Sequence, residues 1–92
     1  MTAVVETFRK VGVVGDLKIV AIQTSATAAT GWTIDLNSDA SNGRGVELTE
    51  ILTYSFNDDA GAEKEVTFDP DTGIITLGTI TTGIHNLTVV GY

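Results

Sequence analysis

The sequence predicts an all-β domain, a small antiparallel β-sandwich or partly open β-barrel, in which 47–52 can form one short helical turn but are too few to hold a helix alone. Three observations carry this. Fifteen Thr, ten Val and eight Ile make up over a third of the 92 residues, and β-branched side chains lose least on a pleated, half-buried surface. Several short runs alternate apolar and polar residues with period two, the signature of half-buried strands. Clusters of Gly, Asn, Asp and Pro separate these runs at close intervals, which leaves little room for helix. At this length, 1–92 form one domain with one core. With no Cys there is no disulfide to support it, and oligomerisation is the usual substitute.

Taken in order, residues 4–14 read either as a separate strand or, over 1–12, as an N-terminal arm that pairs elsewhere; Gly12 and Gly15-Asp16 punctuate the passage into the next element. Residues 17–23 read as a central strand, with Leu17, Ile19 and Ala21 on one face, Val20 and Ile22 on the other, and both faces covered. Trp32-Thr33-Ile34-Asp35-Leu36 alternates cleanly and places Trp32, Ile34 and Leu36 together. Residues 37–45 collect turn-forming residues and read as a surface loop of the length that can carry function. Leu48, Ile51 and Leu52 fall at i, i+3 and i+4, the basis for the helical turn, before 51–56 extend as a strand that stops at Asn57-Asp58-Asp59-Ala60-Gly61. Residues 65–68 and 74–77 flank Asp69-Pro70-Asp71-Thr72-Gly73, a hairpin whose Pro fixes φ and whose Gly supplies the positive φ of a type I turn plus bulge. Residues 86–92 form the last strand.

Composition narrows the function classes. Twelve acidic against five scattered basic residues, a formal charge of −7, would repel a polyanion, so nucleic acid is not expected as a partner. The longest apolar stretches fall far short of the roughly 20 residues of a membrane helix. Glu6 and Arg9-Lys10 interrupt any signal-peptide core, so neither membrane insertion nor export by a cleaved signal is expected. A hydrophobic fraction of 42% is too high for a disordered acidic tail.

The chemistry-bearing residues do not assemble into a catalytic pattern. His85 is the single histidine, which rules out motifs needing two imidazoles; beside Gly and Asn at a strand edge it reads as a solvent-exposed structural residue. None of Ser25, Ser38, Ser41 or Ser55 sits in a Gly-x-Ser-x-Gly elbow. Asp58-Asp59 and Asp69-x-Asp71 have oxygen ligands for a hard cation but do not match the twelve-residue calcium loop, and turn geometry explains both. Gly43-Arg44-Gly45 lacks the ending of a phosphate loop. Trp32 can stack on a sugar or anchor an interface, yet it shares a face with Ile34 and Leu36 and reads as core. Asn86-Leu87-Thr88 matches a glycosylation acceptor but lies in a strand. No catalytic, cofactor-binding or metal-binding residue is expected, and the chain is read as not an enzyme. The local basic and aromatic cluster Phe8-Arg9-Lys10, with Val4 and Val5 before it, is the candidate partner-binding segment, docking on an acidic surface if the N-terminus is an arm.

The strand opening Val13-Val14-Gly15-Asp16-Leu17-Lys18-Ile19-Val20 and the closing series Val66-Thr67-Phe68-Asp69, Asp71-Thr72-Gly73-Ile74-Ile75-Thr76-Leu77 and Leu87-Thr88-Val89-Val90-Gly91-Tyr92 resemble small virion structural proteins of tailed bacteriophages. Thr/Val/Gly-rich, Cys-free, acidic chains of this size are most similar to capsid decoration (cement) proteins. The resemblance implies a particle component on the capsid exterior that binds neighbouring major capsid subunits, works as a small homo-oligomer such as a trimer, and needs no cofactor. A tail, fibre or head-completion protein is the nearest alternative, followed by a small carbohydrate- or ligand-binding β domain using Trp32 and 37–45.

Overall fold

The computed structural model describes residues 2–37 and 48–92. They form seven strands, β1 (Glu6–Val14), β2 (Leu17–Thr24), β3 (Thr33–Asp35), β4 (Ile51–Asp58), β5 (Val66–Asp69), β6 (Ile74–Leu77) and β7 (His85–Gly91). These assemble into two antiparallel sheets, β1-β2-β7-β4 and β3-β6-β5. The fold is therefore all-β, a small β-sandwich. No helix is present among the described residues; Leu48 is buried in a coil and Ile51 already begins β4, so the i, i+3, i+4 spacing there serves strand entry instead of a helical turn.

The core lies between the two inner faces. Val20 and Ile22 of β2 stand opposite Val89 and Leu87 of β7, and Phe56 of β4 continues the row. Ile34, Ile75 and Leu77 of the smaller sheet close on them, with Val4, Ala28, Leu36 and Leu48 filling the margins. Trp32 packs against this cluster from its edge, as its shared face with Ile34 and Leu36 leads one to expect. Leu17, Ile19 and Ala21 are only half-buried, because the smaller sheet covers one face of β2 and not the other.

Turn chemistry sets the register. Gly15 at φ 61 begins the two-residue β1–β2 turn with the positive φ of a type II′ hairpin. Asp69 Oδ1 accepts from the Asp71 amide at 2.9 Å, the Gly73 amide donates back to the Asp69 carbonyl at 2.8 Å, and Gly73 sits at φ 75. Asp58 Oδ1 accepts from the Ala60 and Ala62 amides at 3.0 and 2.8 Å. The aspartates at both turns thus act as backbone acceptors. The Ala62 amide is the main cause holding the Asp58 carboxyl below the usual range; desolvation opposes it, and the Ala60 amide, Lys64 and His85 each lower it by less. Of 37–45, only Asn37 lies among the described residues; Ser38, Ser41 and Gly43-Arg44-Gly45 lie outside them.

Candidate interaction surfaces

The two long sides of the sandwich differ. On the β1/β3 side the chain itself closes the gap: Ala3 bridges Thr33 in parallel, the Val4 amide donates to the Thr33 carbonyl at 2.7 Å, and the segment then crosses into β1. Arg9 completes the closure. Its guanidinium, fully shielded from solvent, forms a bidentate pair with Glu6 at 2.8 and 2.7 Å and donates to the carbonyls of Asp35 at 2.8 Å and Leu36 at 3.4 Å, linking the two sheets.

These contacts place the sequence-derived partner-binding residues. Val4 and Arg9 point into the molecule, at 8% and 3% exposure, while Val5, Phe8 and Lys10 are on the surface. Residues 3–12, read above as a strand or an arm, contribute a bridge to β3 and most of β1. The inward side of Arg9 has a sequence cause that spacing alone does not reveal: Glu6 three residues earlier has the right charge and reach, but only a β-bulge between Glu6 and Phe8 brings both heads to the same side.

The β4/β5 side is open. The Lys64 amide donates to the Phe56 carbonyl at 2.7 Å, so the Phe56 backbone points away from β7, and by the two-residue alternation of a strand so does that of Tyr54. Across the gap, the Glu65 carbonyl accepts from the Gly78 amide and the Asp69 carbonyl from the Gly73 amide, both at 2.8 Å. Val66 and Phe68 therefore turn their backbone groups away from β6. Among the described residues, none pairs with the outward groups of Tyr54, Val66 or Phe68. Residues 62–64 pair with the end of β4; beyond them, between the two edges, lies a cleft of about 720 Å³ with Ile51, Leu52, Tyr54, Val66, Phe68 and Tyr92 on its walls. Leu52, the extra residue of a bulge opposite Gly91, is 55% exposed and Tyr54 41%. Glu50 marks the mouth and accepts a hydrogen bond from the Tyr92 hydroxyl; that bond and the carboxylate charge raise the Tyr92 phenol above its usual range.

A third surface is the β1–β2 hairpin tip, where Val11, Val13 and Val14 are 40%, 68% and 64% exposed. His85 belongs to none of these surfaces. It is buried, contrary to the exposed position expected at a strand edge, because it begins β7 on the inward face and stacks on Phe56 with ring centroids 5.2 Å apart. Nδ1 lies 3.0 Å from the Gly83 carbonyl, so it carries the proton, and Nε2 has no partner among the described residues. Comparison with known proteins yields no match to a family model, a curated protein or a solved structure.

Proposed function

We propose that this chain is a non-enzymatic virion structural protein of the capsid decoration kind, held on the outside of a phage head by contacts to neighbouring major capsid subunits. The observation that supports this most is the incompleteness of the sandwich. Two strand edges with outward groups unpaired among the described residues, at Tyr54 and at Val66 and Phe68, and an apolar cleft face outward on one side, and an apolar hairpin tip stands on the other. Exposed apolar edges invite pairing with another chain, and strand addition derives affinity from main-chain hydrogen bonds and specificity from alternate side-chain pockets. A shell repeats one surface many times, so modest contacts combine through avidity. The net charge of −7 keeps a crowded coat soluble. Trp32, the residue a sugar-binding reading would use, is partly buried and packs against the core.

The test is gradient sedimentation of a lysate from the native source, with this chain quantified by mass spectrometry against the major protein of the fast fraction. Near parity with a capsid protein is the expected result. A ratio of a few per cent would move the assignment to tail, fibre or head completion, and absence from large particles would overturn both.

A further inference from the structure

We infer that the β1–β2 hairpin tip of one copy seats in the β4–β5 cleft of a second copy, so that the chain associates head to tail. This deepens the reading above in one respect only: it rests on the open edges being completed by protein, not on the identity of any particle.

Four observations select a second copy as the occupant. The first is edge chemistry. The two-residue turn at Gly15-Asp16 makes Val14 and Leu17 a hydrogen-bonded pair, and alternation makes Gly12 with Ile19 and Lys10 with Ala21 the next ones. The backbone groups of Val11 and Val13 therefore point away from β2 and have no partner among the described residues, as those of Tyr54 do on β4. Joining the two edges would continue one four-stranded sheet into the next. The second is side-chain chemistry: Val11 and Val13 share a face, and the cleft presents Ile51, Leu52 and Tyr54 to receive them. The third is charge. Residues 10–18 of the hairpin hold two basic residues and one acidic, whereas residues 48–92 hold one basic and seven acidic ones. The exposed Lys10 beside Val11 is drawn to a cleft that Glu50 lines, in a protein whose copies otherwise repel.

The fourth observation is topological. β1 and β4 are opposite edges of one sheet, three strand spacings or roughly 14 Å apart, so a hairpin cannot reach its own cleft. The contact uses two different patches and is heterologous, which produces a ring if the rotation closes and a filament if it does not.

Two blocked variants test this in solution. Val13→Asp puts a carboxylate on the tip, and Leu52→Asp puts one in the cleft; both positions are exposed, and far-UV circular dichroism with Trp32 emission verifies folding. Val11→Asp or Tyr54→Asp replaces either variant if it does not fold. By sedimentation velocity over a concentration series, the wild type is expected to self-associate, and each variant to weaken association by about tenfold or more, since a buried unpaired charge is strongly disfavoured. Mixed together, the two are expected to form a dimer and nothing larger, because one intact cleft and one intact tip remain. A monomeric wild type, unimpaired association of both variants, or a mixture that forms no dimer would each overturn the inference. Co-sedimentation of the wild type with the native particle is scored separately: a wild type that binds the particle but stays monomeric in solution removes this inference alone, and one that self-associates through tip and cleft but is absent from particles removes the particle reading alone.

Discussion

Replacing Arg9 by Met should destabilise the fold by about 3–5 kcal/mol, the range for a buried ion pair that loses one partner. The guanidinium makes at least four hydrogen bonds, two to Glu6 and one each to the Asp35 and Leu36 carbonyls. Met keeps most of the apolar stem but leaves the Glu6 carboxylate, 8% exposed, without its counter-charge. A chain of this length has roughly 5–14 kcal/mol of stability in total, so the loss is a large share of it. At about 4–8 °C per kcal/mol, Tm should fall by at least about 12 °C. Urea titration followed by Trp32 emission reads this directly, because the single Trp packs against the core and becomes solvated on unfolding. The double variant Arg9→Met/Glu6→Leu removes both charges of the pair and leaves the Asp35 and Leu36 carbonyls without this donor, a loss of about 1–3 kcal/mol. The double variant should therefore be more stable than Arg9→Met alone. A single variant within about 1 kcal/mol of wild type, or a double variant as unstable as the two singles summed, would refute the staple argument.

Other expectations follow from the same packing. At Gly91, a Cβ would run into the Glu50 carbonyl oxygen; Gly91→Ala should lower the urea midpoint by the equivalent of about 1–3 kcal/mol, and an unchanged midpoint would show that the 48–50 crossover yields freely. His85→Ala should cost about 3 kcal/mol through a cavity beside Phe56, whereas His85→Phe should cost less, since it retains the stack and removes the unpaired Nε2; equal thermal shifts would contradict that ordering. Asp58 has a folded-state pKa below its unfolded value, so its contribution is present above the unfolded pKa and lost as pH falls through the folded one. The gap in urea midpoint between wild type and Asp58→Ala should accordingly narrow as pH drops below about 4; a gap constant down to pH 2 would refute the turn's charge dependence.

Local signals in the sequence were enough for the strands and the turns. β-branched composition and period-two alternation act through the backbone of each segment and its immediate neighbours, so β2, β3, β4, β6 and β7 are legible from a few residues each. Asp69 to Gly73 is legible because turn conformation is encoded by side chains that bond their own backbone. Spacing at 48–52 misled for a related reason: three apolar residues at helical intervals also suit a buried coil running into a bulged strand, and only packing under Gly91 distinguishes them.

What only the tertiary structure decided depends on which groups meet across the sandwich. Arg9 looks like surface charge in a basic cluster until β3 and the residue after it supply two carbonyls and a bulge supplies Glu6; His85 looks exposed until Phe56 stacks on it. The cleft has no local signature at all, because an unpaired edge is a property of strand order, and strand order arises from contacts dozens of residues apart. The amino-acid sequence by itself determined a Cys-free acidic β domain and the positions of its strands, since those follow from short-range preference. Which side of the sandwich is stapled and which is left open was decided by long-range pairing, where burial and hydrogen-bond satisfaction outweigh any local propensity.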